Sequence, residues 1–375
     1  MEIARYISRM RLFYSLFLKF VEGGSDTPDN YNEFVTTIKS NNLGENPDEL
    51  RSILHIIHKV SFHHKRQPNF ISKVHKTILF FSDQIKESFS NSDLYRIFRS
   101  NKLLLIFLFE QKIITVDEDI IYRLYDKYKK KDSNYFYTEF KPFLNHKSER
   151  GEISLVSTSK VHDSNFERNR HEGENDSPIC QLIREDSINE FLSYVREKKV
   201  SLSSIVPKSF FETNSLLKKK VTSLIEYAVF FGSIHIFQYL LKSNVNFTSS
   251  IWNYAIHGSN LDVIHLLEKH EIKPEHQSFR SCFYESVKCH HNELAHYIKM
   301  NLYTNNEDET DGNFFMNFSK FYNFNFFIND LKDNYETIFS FACKYDYMTI
   351  VKILLEKRKI NLKESLFMKV LIFFY

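Results

Sequence analysis

A small residue recurs in this chain at one fixed point ahead of a helix-like apolar run. Ala228, Ala255 and Ala342 hold that slot, three of only five alanines, and Ser286 fills it between them. Eight residues on stand Ile236, Val263, Leu294 and Ile350; twelve on stand Leu240, Leu267, Ile298 and Leu354. Five before it stand Ser223, Ser250, Ser281 and Thr337. The anchors lie 27, 31 and 56 residues apart, the last spacing being two periods long. A period of this length implies stacked helical pairs, because one pair cannot bury both of its faces and needs a neighbour to cover the rest.

The spacing also sets the layout inside a unit. Ile225 and Ala228 share one helix face, and Ile236, Phe237 and Leu240 share a face of the next helix. A small anchor lets the two helices approach closely, and a bulky one would overpack them at a cost of about 1–3 kcal/mol. The chain must turn about four residues after the anchor. Gly232 suits that turn, since glycine takes a positive φ without penalty. Ser259, His290 and Asp346 fill the place elsewhere.

Written out, the units read SLIEYAVFFGSIHIFQYLL (223–241), SIWNYAIHGSNLDVIHLLE (250–268), SCFYESVKCHHNELAHYIK (281–299) and TIFSFACKYDYMTIVKILL (337–355). Together they resemble the ankyrin repeat, whose pattern is Thr-Pro-Leu-His-x-Ala, a glycine four residues on, then Ile-Val and a Leu-Leu pair. Ala295 takes the place of the Val after Leu294. The departures are clear. Leu224, Ile251, Cys282 and Ile338 stand where the family has proline, the histidine is missing, and the glycine survives once. Behind an all-helical first block, this degenerate form is similar to large ankyrin-like families of parasitic protists, in which the first block is a domain of unknown function. The stretches at 89–115 and 173–188 add to the likeness. The resemblance implies an adaptor or binding protein with no known catalytic role.

The expected fold is therefore all-α: a helical N-terminal domain followed by an ankyrin-like α-solenoid of stacked helix pairs. Residues 1–145 show apolar spacings of three and four, as at Ile53, Ile56, Ile57 and Val60. Helix starts are marked at Thr27-Pro28, Asn46-Pro47 and Asn91-Ser92-Asp93. Residues 146–177 carry many charges and few large apolar side chains, which predicts a solvated linker. Residues 178–375 hold the repeats, with clear units near 223–246, 250–273, 281–303 and 337–360. A divergent unit lies in 304–336, its register unset, and a degenerate helix pair spans 179–199.

Composition narrows the function classes. The net charge is +3 with 97 charged residues, which gives no global attraction to nucleic acid or acidic membranes. Four cysteines in 375 residues make no disulfide framework and fit a reducing, cytoplasmic setting. The segment 1–21 reads as an amphipathic helix, and no run is long enough to span a membrane. The chain ends KVLIFFY, an apolar close that favours a truncated longer array and self-association through that end.

Candidate chemistry is sparse. His55, His58, His63 and His64 lack an acidic or cysteine partner in their pattern, and Cys289-His290-His291 falls at a repeat turn, so neither is expected to hold a metal. With eight glycines there is no phosphate-cradling loop, and no nucleophile elbow is present. The lysines at 127, 129–131 and 218–220 read as solvated helix ends. No cofactor and no catalytic residue is expected. The chain is expected to be a non-catalytic scaffold that binds other proteins, through tips at Phe230, Phe231, His257, Lys288 and Lys344. The competing expectations are an enzyme or a nucleic-acid-binding activity in the first domain, with the repeats as a targeting module.

Overall fold

The computed structural model describes residues 2–64, 66, 69–124, 133–143, 164–219, 221–275, 278–303, 318–327 and 335–357. Every regular element among them is helical, and the β structure among them is an isolated bridge between Ile205 and Ser223. The all-α class therefore holds. No described helix is long and apolar enough to cross a membrane. Most of the charged segment, the lysines at 127 and 129–131, the segment 304–317 and the apolar tail 358–375 lie outside the described residues.

The chain divides into two compact units, and the cut differs from the expected one. Met1–Ser88 joins Phe279–Tyr375 in the first unit, and Phe89–Ser278 makes the second. The first unit is built from both ends of the chain for a physical reason. The amphipathic helix Glu2–Glu22 has Ile7, Met10, Phe13, Tyr14 and Phe17 fully buried. It packs on the helices Pro47–His63, Phe70–Phe80 and Met348–Glu356 and on the turn Phe324–Phe326. The helix Met348–Glu356 is thus covered by N-terminal helices. The marked starts hold. Thr27 caps the helix Pro28–Ser40, Asn46 accepts from the amides of Asp48 and Glu49, and Ser90 forms a capping box with Asp93 ahead of Asn91–Phe98.

In the second unit the repeat helices stack like on like. The first helix of each pair, Pro178–Arg184, Leu224–Phe231 and Ile251–Gly258, packs on the next first helix. The second helices, Ile188–Glu197, Ile234–Lys242 and Leu261–Lys269, do the same. The expected solvated linker gives way to packed structure over 164–177. Helix Phe166–Glu172 buries Phe166 and Arg170 and ends at Gly173, φ +65°. Arg170 is held there by Glu139 at 2.7 Å and Glu167 at 2.8 Å, so its charge goes inside already paired.

The anchors sit where the spacing puts them: Ala228, Ala255 and Ser286 are 0% exposed and Ala342 is 1%. Ser286 hides its hydroxyl by donating to the Phe283 carbonyl at 2.7 Å. All four turn residues are left-handed: Gly232 at φ +70°, Ser259 at +45°, His290 and Asp346 at +62°. Beyond the turn, the amides of Ser233, His291 and Tyr347 return to the anchor carbonyls of Ala228, Ser286 and Ala342, which closes each first helix as a Schellman motif does. Ser187 does the same to Leu182 with Asp186 at φ +50°, which puts the degenerate 179–199 pair in register. A further left-handed residue, Tyr322 at φ +57°, sets the register of the divergent unit with Phe318 at its anchor.

Candidate functional site

The first candidate surface is the row of helix tips. Its members do not form one open strip. His257 is buried at 4% exposure, because its ring stacks on Phe230 of the preceding repeat at 5.5 Å. Phe230 and Phe231 are half-buried. Phe231 lies against Tyr227 at 4.7 Å and under the Arg184 guanidinium at 5.9 Å. Lys288 is half-buried and paired with Glu285 at 2.7 Å, and Lys344 alone of the five is exposed. Phe230, Phe231 and His257 belong to the second unit, Lys288 and Lys344 to the first. Aromatic tips of this size gain more from neighbouring rings than from water, so packing between repeats has taken most of their surface.

The repeats are tied together by polar side chains at the turn. Ser233 Oγ donates to the Ile183 carbonyl at 2.5 Å and Asn260 Nδ2 to the Gly232 carbonyl at 3.0 Å. In the first unit Asn323 Nδ2 donates to the Val287 carbonyl at 2.8 Å, and Tyr347 Oη to the Ser319 carbonyl at 2.5 Å. All four donors sit one residue after a left-handed turn. Each reaches a carbonyl at or near the turn of the preceding helix pair. Asp186 extends the scheme, accepting from the backbone amides of His235 and Ile236 at 3.0 Å each and so capping the next repeat's second helix.

In the first unit the N-terminal helices meet the repeat turns through a buried polar seam. Asp346, a turn residue, receives His55 Nε2 at 3.0 Å and Arg51 Nη1 at 3.3 Å on one oxygen. The Tyr322 ring stacks on His55 at 4.7 Å. Tyr14 Oη lies 3.0 Å from His290 Nδ1, and His64 Nε2 lies 2.8 Å from a Glu22 oxygen. Arg11 donates to the carbonyls of Phe324 and Phe327 at 3.0 Å each. Burial lowers the pKa of His55 against the pull of Asp346, and it pushes His290 well below the usual imidazole range. Among the histidines weighed for metal, His55 and His64 thus put their Nε2 atoms on carboxylates instead.

A charged cavity of about 470 Å³ opens beside this seam, lined by Arg5, Tyr6, Arg9, Glu49 and Lys352 among others. Most of these charges are already matched. Arg9 grips both oxygens of Glu49, at 2.6 and 2.9 Å, and the carbonyls of Asn41 and Asn42, while Lys352 pairs with Asp48. The thiols are poor nucleophiles, since burial pushes Cys282 up to about 12 and Cys343 up to about 11, with Cys180 and Cys289 also raised.

The repeat spacing marks Asp346 as a turn residue, the histidine pattern gives His55 no partner for a metal, and neither signal connects the two. They stand 291 residues apart, and no short-range spacing signals such a pair. No family model, curated protein or solved structure matches the chain. What the fold and the seam define is an all-helical chain of turn-linked helix pairs whose conspicuous ionisable groups hold the fold together.

Proposed function

We propose that this chain is a non-catalytic scaffold of ankyrin-like repeats that binds other proteins in the cytoplasm. One observation carries the reading: the hydrogen bonds from Ser233, Asn260, Asn323 and Tyr347 to the helix pair before each, set on left-handed residues that recur in register. That is the construction of a stacked repeat, whose stability is built from neighbour contacts and whose extended outer surface is free to vary. The four cysteines are all free thiols, which agrees with a reducing compartment. Each unit offers its own partner surface: the half-buried Phe230 and Phe231 in the second, where the buried His257 stacks on Phe230, and the exposed Lys344 in the first.

An enzyme has one observation in its favour, the half-buried His55–Asp346 pair. A catalytic dyad needs an imidazole nitrogen turned toward a substrate. Here Arg51 shares the Asp346 oxygen and Tyr322 covers a ring face, which suits a structural lock better.

The test is capture from native lysate on immobilised full chain, beside a Phe230→Ser/Phe231→Ser double variant and a Lys344→Glu variant of matched helicity. Saturable capture of a defined protein, weakened at least tenfold by one of these variants, is the expected result. Capture that ignores both variants, or retention of nucleic acid alone, would remove the proposed surface.

A further inference from the structure

The charged cavity beside the seam lies wholly within the first unit, and its 470 Å³ is in the range of small-molecule sites. Its charges sort into two groups. One group is spent inside the protein: Arg9 on Glu49, Lys352 on Asp48, and Glu2 on Lys357 at 2.9 Å. The other is not. Arg5, Glu45 and Glu356 also line the cavity, and among the described residues no hydrogen bond or ion pair reaches any of them. All three are exposed, so a ligand can meet them without breaking a bond of the fold. They come from three different elements. Arg5 stands on the helix Glu2–Glu22, Glu45 in the loop ahead of Pro47–His63, and Glu356 at the end of Met348–Glu356.

The rest of the wall is partly apolar. Tyr6 is buried and its hydroxyl is spent on Ser52 at 2.7 Å, so what it offers the cavity is its ring. Ile353 lines the same cavity and is half-buried. Thr349, also in the lining, has a hydroxyl sealed from water that no group of the protein satisfies. Native structures pair nearly all such atoms, so this one marks a place where a hydrogen-bonding partner is missing.

We propose that this cavity binds a free basic amino acid, such as lysine, ornithine or arginine, apart from the partner surfaces described above. Such a molecule is the charge complement of the three unspent groups. Its carboxylate matches the Arg5 guanidinium, and its α-ammonium and side-chain cation match Glu45 and Glu356. Its methylene stem covers Tyr6 and Ile353, as long basic side chains cover apolar surface while keeping their charged heads wet. The carboxylate also gives Thr349 an acceptor once χ1 turns, and a helical threonine has two open χ1 settings. A simple anion would meet two carboxylates here and a simple cation would meet Arg5, so neither fits the set.

The experiment titrates the full chain with L-lysine and L-arginine by calorimetry, beside L-norleucine, cadaverine and Nα-acetyl-lysine amide. Norleucine lacks the side-chain cation, cadaverine lacks the carboxylate, and the blocked lysine lacks both α-charges. Saturable millimolar or tighter binding of lysine or arginine is expected, with each of the three analogues weaker by about tenfold. Arg5→Gln, Glu45→Gln and Glu356→Gln should each weaken the preferred amino acid by about tenfold, with helicity and urea midpoint unchanged because these side chains hold no bond in the fold. Absence of saturable binding by either amino acid would overturn the proposal. Cadaverine equal to lysine would reduce the cavity to an acidic patch, and blocked lysine equal to lysine would make it a dock for a partner's side chain. Either result, or three variants that all bind like the parent, would overturn it too.

Discussion

At the scale of single residues, the close approach of backbones decides most. Ala255 is fully buried between stacked helices, so Ala255→Trp should overpack the second unit by about 3 kcal/mol or more. Hydrogen-exchange mass spectrometry should show lost protection within 89–278, and an unchanged exchange pattern would remove Ala255 from its anchor role. Gly258 carries a constraint that its place in the repeat pattern does not reveal. A Cβ there would lie 2.6 Å from the Val229 carbonyl oxygen and 2.8 Å from that of Phe230, in the neighbouring repeat, whereas one on Gly24 would meet nothing within 4 Å. Gly258→Ala should therefore cost about 2 kcal/mol in urea titration and Gly24→Ala a few tenths. Equal midpoints for the two would show that the repeats slide apart easily. His290 adds a pH dependence. Its imidazole titrates near 6.5 when unfolded and well below that when folded, because burial disfavours its charge. Below pH 6.5 the unfolded chain binds the extra proton, so stability falls as pH falls. His55 is shifted in the same direction. The melting temperature should be lower at pH 5 than at 7.5. His290→Asn, which tolerates the left-handed turn, should flatten part of that slope, and an unaltered slope would clear His290 as a cause.

At the scale of elements, the turn is where each repeat is both ended and joined. Asp186 sits in a left-handed turn of one pair and caps the helix Ile234–Lys242 of the next through two backbone amides. Asp186→Ala should expose those amides and cost about 1–2 kcal/mol. Amide exchange at His235 and Ile236 should speed up more than at residues deeper in that helix; uniform acceleration would mean the cap matters only to global stability. Much of this scale was legible in the sequence. The anchors, the turn positions and the helix starts at Pro28 and Pro47 follow from spacing and capping chemistry, which act within a few residues. The helix Phe166–Glu172 was not foreseen, although Gly173 is a helix-ending signal, because the charges that suggest a solvated segment are here neutralised by Glu139 and Glu167. The register of the divergent unit was illegible for another reason: Tyr322 and Asn323 do the work of the usual Gly and polar turn residue without resembling them.

At the scale of the whole molecule, chain order and spatial order part company. Periodicity places residues 1–145 together because it sees only local pattern, and it is blind to which apolar face covers which. The contacts that decide the matter join residues about 300 apart: Asp48 with Lys352, Glu2 with Lys357 at 2.9 Å, Arg51 and His55 with Asp346, and the helix Glu2–Glu22 with Met348–Glu356. A fragment cut by sequence pattern at 178 would strip the last repeats of the helices that bury Ile350 and Leu354. A fragment cut at 89–278 keeps its own stacked pairs. Residues 89–278 should therefore melt cooperatively alone, while residues 279–375 should show little exchange protection until residues 1–88 are added in trans. Mixing those two end fragments should restore helicity and protection in Met348–Glu356, with an affinity that falls when Tyr14→Ala or Met10→Ala removes buried contact area from the first helix. If residues 279–375 fold unaided, or if 178–375 melts as one cooperative unit, then the two chain ends are neighbours without being partners, and the helical block and the repeats are separate domains after all.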